Sequence, residues 1–205
     1  MPTIDIVRVR EDQIDVAAGI LARAFQLDPP MLYICPDPAS RARVLPPMMK
    51  AFVTYAWMFG EPLTTSETPK AVALWLPLDD LSEDPERDRR AGIDQMHATL
   101  GAETLTRFKH FVSTVDRFHQ RTAPGRHLYL STLGVEPSRQ GQGLGSALIR
   151  PMLERADADG LPCYLETFQP RNVPLYQKHG FKIMIEEVEP NSGVRGWAFL
   201  REPRS

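Results

Sequence analysis

Three glycines at alternate positions, in Glu136-Pro137-Ser138-Arg139-Gln140-Gly141-Gln142-Gly143-Leu144-Gly145-Ser146, constrain this chain more than any other feature. Before them, His127 to Val135 reads as a largely apolar strand, and Pro137 cannot extend an interior ladder. After them the pattern continues through Ala147, Leu148 and Ile149, which predicts a helix from Gly141 to about Asp159. Such a strand-to-helix turn lets the backbone approach a ligand with no Cβ in the way. It also presents unpaired N–H groups at the helix's positive end, which suits a pyrophosphate, and Arg139 can add a cationic contact. The nucleotide triphosphatase loop is a different pattern, with four residues between its glycines followed by Gly-Lys-Ser/Thr. The dinucleotide fingerprint fits poorly too: the spacing is G-x-G-x-G, and Glu166 lies 25 residues beyond Gly141, inside the next strand. A tight turn that merely packs a helix closely is the structural alternative.

Around this turn the pattern predicts mixed α/β structure in one domain, 1–205, with helices covering a central sheet. Strands are expected at Ile4–Arg10, weakly at Pro62–Ser66, and at Lys70–Leu76 with Pro77 as the stop. Further strands follow at Leu161–Thr167, Phe181–Glu189 and Arg195–Arg201. A helix opens at Asp12 and must end before Pro29-Pro30, after which a proline-rich loop is expected. A second helical region, Ser40–Phe59, should kink or split at Pro46-Pro47. Asp79–Arg90 reads as a solvated loop and helix start, or as a lid facing the substrate. Gly92–His119 is helical with a break near Gly101, and Val173–His179 is a short helix. Pro151 inside the helix after the glycine turn costs about 3 kcal/mol in an unadapted position, so a kink beyond the first turn is expected.

Composition excludes several function classes. A net charge of −2 argues against a nucleic-acid footprint. No run reaches membrane-spanning length, and the start, Met1-Pro2-Thr3-Ile4-Asp5, has no signal-like core, so a cytoplasmic protein is expected. Cys35 and Cys163 lack metal-ligand spacing, and no metal site is expected.

The stretch Gln140–Gly145, with Tyr164-Leu165-Glu166-Thr167 and Asn172-Val173-Pro174-Leu175-Tyr176-Gln177-Lys178-His179-Gly180-Phe181, resembles the GCN5-related N-acetyltransferases. Leu165-Glu166-Thr167, Pro170-Arg171-Asn172 and the Trp197 strand look most like the puromycin N-acetyltransferase type. The resemblance is strong over 127–201 and looser over 4–80. It implies the fold of that superfamily: a twisted, mostly antiparallel sheet with a splayed parallel pair and helices on both faces. It also implies acetyl-CoA as cofactor. The backbone of Leu133, Gly134 and Val135 would then meet the pantetheine arm, with Leu133 and Val135 pairing to it like a strand. The amides of Gln140, Gly141, Gln142, Gly143, Leu144, Gly145 and Ser146 would hold the pyrophosphate beside Arg139. Asn172 would hydrogen-bond the arm, and Tyr176 would lie near the sulfur.

The chemistry gives these positions a reason. An amine attacks a thioester carbonyl, charge develops on its oxygen, and a thiolate leaves. A tyrosine hydroxyl, with reference pKa about 10, can donate to a departing sulfur of about 8.5. Tyr176 is the candidate donor; a buried tyrosine that caps the helix–strand unit is the bland reading. Glu166 is the candidate base or water-positioner, because a carboxylate in an apolar strand needs a reason. A structural partner for Arg171 or for a loop amide is the alternative, and His127 and His179 are the other candidate bases. On the substrate side, Phe25, Met31, Tyr33 and Trp75 are candidate walls, favouring a small hydrophobic amine. Three rivals stay open: a protein or peptide N-acetyltransferase, a non-catalytic acyl-CoA-binding domain, and two-step transfer through Cys163. Monomer and homodimer are both compatible with the sequence.

Overall fold

A computed structural model describes residues 4–66, 68–79, 84–123 and 125–204. Its centre is one seven-stranded sheet, made of β1 (Ile6–Arg8), β2 (Glu61–Thr65), β3 (Ala71–Leu78), β4 (His127–Val135), β5 (Cys163–Thr167), β6 (Lys182–Val188) and β7 (Arg195–Arg201). The spatial order is β1-β2-β3-β4-β5-β7-β6. Every neighbouring pair is antiparallel except β4 and β5. This is the mixed α/β architecture read from the sequence.

The pleat of the sheet divides the interior in two. On β3, Val72 and Leu74 face one core, while Ala71, Ala73 and Trp75 face the other. The first core is covered by α1 (Ile14–Ala24), α2 (Pro29–Ile34), α3 (Pro38–Phe59), α5 (Ile93–Thr99) and α6 (Ala102–Thr122), with α4 (Pro85–Ala91) packed on α3 and α5. The second is covered by α7 (Leu144–Asp159) and α8 (Val173–Lys178). Buried Leu148, Met152 and Ala156 sit on one stripe of α7, as the helical period requires.

Proline accounts for most departures from the sequence reading. Pro29 and Pro30 do not merely follow a helix; they start a new one, α2, at positions where a missing N–H costs nothing. Pro46 and Pro47 lie inside an unbroken α3 and point to solvent, while Leu45, Met48 and Met49 are buried. Pro77 lies within β3 rather than ending it, because β2 stops opposite Trp75 and leaves β3 an edge there. Helix α7 runs through Pro151 without a break and begins at Leu144, three residues later than expected. Of the Asp79–Arg90 stretch, 80–83 lie outside the described residues and 85–90 form most of α4.

Arg41 has a structural role that the sequence did not reveal. Its guanidinium is buried and donates to the carbonyls of Gln26 at 2.7 Å, Cys35 at 2.7 Å and Pro36 at 2.9 Å. It therefore ties both ends of the α2 segment to α3.

Candidate active site

The parallel pair separates almost as soon as it forms. β4 and β5 are in register only at Leu128 with Cys163 and Tyr129 with Tyr164. Beyond that, β5 stays with β7 while β4 runs on beside β3 to Val135. Ser131 is an extra residue in β4, opposite the step between Leu74 and Trp75, and such a bulge bends a strand. The Ser131 hydroxyl donates to the Leu74 carbonyl at 3.2 Å, which anchors the bulge. Backbone polarity alternates along a strand, and the Glu136 N–H donates toward β3, to the Lys70 carbonyl at 2.9 Å. Leu133 and Val135 therefore turn their backbone groups into the gap left by β5. The Val135 carbonyl accepts from the Gln140 side chain there at 3.3 Å.

The glycine turn caps the wide end of this gap. Gly141 and Gly143 have φ of 77° and 80°, the left-handed region that glycine occupies without strain. A Cβ at either would meet nothing within 4 Å, so both face open space. Gly143 is the N-cap of α7 and supplies no side-chain acceptor. Among the described residues, none of the six consecutive N–H groups from Gly141 to Ser146 has a protein acceptor; the first intrahelical bond is Ala147 to the Gly143 carbonyl. Arg139 is exposed beside them, with no ion-pair partner among the described residues. This cradle fits a diphosphate: unclaimed donors, a helix's positive end and no side chain in the way.

Gly134 has a different task. A Cβ there would lie 2.6 Å from Leu21 Cδ2 and 3.2 Å from the Ala24 Cβ, so its absence lets α1 close over β4. That contact places Phe25, at the end of α1, on the wall of a cavity of about 1180 Å³. The cavity reaches from the glycine turn, along the opened side of β4, to Asn172, Tyr176, Glu166 and Asp28.

Each of these polar groups is shaped by burial. Tyr176 is 4% exposed on α8, and burial, followed by the charges of Glu166 and Asp28, pushes its pKa well above the ordinary tyrosine value. It stays protonated. Asn172, at the start of α8, directs its amide N–H to Thr167 Oγ1 at 3.5 Å. Glu166 Oε1 accepts from the Tyr129 hydroxyl at 2.5 Å. Its Oε2 is enclosed without a hydrogen-bond partner, as is the Tyr164 hydroxyl, and burial raises the carboxyl to about 7.

Asp28 was missed in the sequence. It looks like a helix cap, yet Pro29 and Pro30 follow it, and its carboxylate takes no capping bond. Left over from that duty, it lines the cavity, where burial lifts its pKa to about 7 against the pull of Arg171. The signal available was a cap residue followed by two prolines that have no N–H to offer.

Other candidates lie elsewhere. Trp75 is fully buried on the α7 side of β3 and does not reach the cavity; Leu76, on the opposite face, does. Tyr33 packs edge-on to His110, with ring centroids 6.3 Å apart, while its α2 neighbours Met31 and Ile34 line the cavity. His127 is buried, donating from Nδ1 to the Gly125 carbonyl at 2.6 Å and paired through Nε2 with His119 at 2.7 Å. His179 bonds to Ser146 Oγ at 2.9 Å, and neither His127 nor His179 lines the cavity. Cys163 is wholly buried on the α7 side, where burial pushes its thiol up to about 12.

Known proteins are similar to this chain in sequence and fold. Residues 82–181 match the Acetyltransferase (GNAT) family. An uncharacterized N-acetyltransferase of Schizosaccharomyces pombe is 27% identical, across 97% of this chain and 83% of that protein. A crystal structure from Corynebacterium glutamicum, described as histone acetyltransferase HPA2 and related acetyltransferase, superposes with a TM-score of 0.69 at 23% identity, covering 99% and 98% of the two chains. A mosquito arylalkylamine N-acetyltransferase (like 5b) gives 0.67 at 14% identity, covering 97% and 99%. The splayed β4–β5 pair and the glycine turn between them lie within the span, residues 82–181, that is similar to the GNAT acetyltransferase family.

Proposed function

We propose that the chain is an acetyl-CoA-dependent N-acetyltransferase that acts on a primary amine of a small molecule, by direct attack with both molecules bound. The observation that carries the reading is the row of six unclaimed N–H groups, Gly141 to Ser146, at one end of a cavity that leads to Tyr176.

Acetyl-CoA, when bound, supplies an acetyl carbon activated as a thioester, to which an amine bonds as the thiol departs. The amides of Gly141–Ser146, with Gln140 and Arg139, hold its pyrophosphate. Leu133 and Val135 pair with the pantetheine arm along the side of β4 that β5 has left, and Asn172 adds a side-chain hydrogen bond. A β4 N–H in this gap stabilises the charge that develops on the carbonyl oxygen. Tyr176, kept protonated by burial, would donate its proton to the leaving sulfur and regain one from the nitrogen, which sheds its second proton as the amide forms. The amine arrives as an ammonium and gives up its proton to a carboxylate. Glu166 and Asp28, both at about 7, are ionised to a useful extent at neutral pH and basic enough to take it.

The acceptor end of the cavity is apolar, with walls from Phe25, Met31, Phe52, Phe108, Phe111 and Phe168. An aromatic or aliphatic body joined to a primary amine suits such walls, and the fold-level likeness to the mosquito arylalkylamine enzyme is in line with that. All of these walls except Phe168 come from the first half of the chain and from α6, outside the 127–201 region that resembles puromycin N-acetyltransferases, so puromycin itself is not singled out. The enclosed, weakly acidic Cys163 favours direct attack over transfer through a cysteine.

A steady-state assay of thiol release, with mass spectrometry of the product, tests the reading over arylalkylamines, diamines, aminonucleosides and peptides. Turnover with one of the small amines is expected. Acetylation confined to peptides would select the peptide rival. Tight acetyl-CoA binding without turnover on any amine would select the non-catalytic one.

A further inference from the structure

The groove between α7 and α8 holds a concentration of positive charge that the reaction does not use. Arg150 on α7, Lys178 at the end of α8, and Arg201 and Arg204 at the C-terminal end converge on a second concavity of about 190 Å³, together with His179. Asp157 binds Arg201 through two contacts, of 2.8 and 2.7 Å, and also accepts the Arg204 backbone N–H at 2.7 Å. The side chains of Arg150, Lys178 and Arg204 have no ion-pair partner among the described residues. Arg201 is 3% exposed, and its Nε is buried with no acceptor. The His179 imidazolium is disfavoured first by burial and then by Arg150, Lys178, Arg201 and Arg204. Glu154 and Asp157 also line it, but four cationic side chains against two carboxylates leave a net positive pocket in a chain with a net charge of −2.

Its position identifies the anion. His179 bonds Ser146 Oγ at 2.9 Å, and Ser146 is the last of the six free amides. Arg150 lies one helical turn further along α7, about 6 Å beyond Ser146 by helix rise. The pocket therefore begins where the diphosphate cradle ends. On CoA, a ribose carries the diphosphate on one side and a phosphomonoester on the other. We propose that Arg150, Lys178 and Arg204, held in place by the ion pair between buried Arg201 and Asp157, form a subsite for the 3′-phosphate of the CoA nucleotide. The inference rests on the cofactor reading above. A phosphomonoester is matched by these side chains because its two charges accept several charge-assisted hydrogen bonds at once.

Calorimetric titration of the full chain with CoA and with 3′-dephospho-CoA tests this, in wild type and in an Arg150→Ala/Lys178→Ala variant, both sites being exposed. Wild type is expected to bind CoA at least about ten-fold more tightly than dephospho-CoA, since even one charged hydrogen bond contributes that much. In the variant the ratio should fall to about one, through weaker CoA binding alone, with the unfolding temperature unchanged. Inorganic phosphate should compete only weakly, because the diphosphate tethers the 3′-phosphate here. Equal binding of the two ligands by wild type, or a ratio that survives the double substitution, overturns the subsite. Phosphate competing at micromolar levels would overturn the nucleotide assignment in favour of a free anion. If neither ligand binds wild type, the cofactor reading fails and this inference fails with it.

Discussion

In the proposed reaction two carboxyl groups, Glu166 and Asp28, would take the amine's proton, and burial raises both to about 7. A base acts only when ionised, so kcat/KM should rise with pH and level off above about 7. Glu166→Gln and Asp28→Asn separate the two. The substitution that removes the rising limb and lowers kcat by about 100-fold or more marks the proton acceptor. The other should chiefly raise KM for the amine, by weakening its capture as a cation. A limb unchanged in both variants would place the titration elsewhere. Tyr176 makes a separate prediction. Burial keeps it protonated, though as a weaker acid, so its case as donor rests on its place in the cavity; Tyr176→Phe should lower kcat by about 100-fold while the Kd for acetyl-CoA changes less than about three-fold. Matched losses in both would make Tyr176 a packing residue. Glu166 was legible in the sequence because a charge in an apolar strand stands out. Asp28 was not, because a cap-like residue before a helix is ordinary and only the two prolines after it free the carboxylate.

At the scale of elements, the acceptor wall depends on a segment with little regular structure of its own. Helix α2 has six residues and is marginal alone. It is kept in place by Arg41, whose guanidinium satisfies three backbone carbonyls around it. Arg41→Ala should leave those carbonyls unsatisfied and cost about 2–4 kcal/mol in unfolding measurements. It should also raise KM for the amine more than Kd for acetyl-CoA, because the diphosphate cradle is on the other side of the sheet gap. Equal effects on both would show that α2 is not a wall of the acceptor site alone. Proline was the weak point in reading these elements. Its local rules forbid a helix interior, yet α3 and α7 carry Pro46, Pro47 and Pro151 on exposed faces while buried Leu45, Met48, Leu148 and Met152 hold the helices to the sheet. Tertiary burial overrides the local cost there.

For the whole molecule, the sheet order brings distant parts of the chain to one cavity. Asp28 reaches Glu166 and Tyr176 only because the first three strands complete a sheet with β4, and β4 then parts from β5. The second half was readable almost strand by strand, since turn, helix and strand signals there agree with one another; β4 and β7 have the boundaries expected. Which face of β3 looks into the cavity was not readable. Leu74, Trp75 and Leu76 are all apolar, and only the register with β4 sends Trp75 to the α7 side. On α2 the inward face was equally unreadable: Tyr33 packs against His110 while Met31 and Ile34 line the cavity. What the sequence did supply was the turn, and the account of function depends on it: a diphosphate held by amides that the protein itself leaves unused. Backbone amide shifts followed by NMR during a CoA titration test this most directly. The account predicts that the largest changes fall on Gly141 to Ser146, with Leu133 and Val135 next. Saturable binding that leaves those amides unmoved, with its changes elsewhere on the surface, would contradict it.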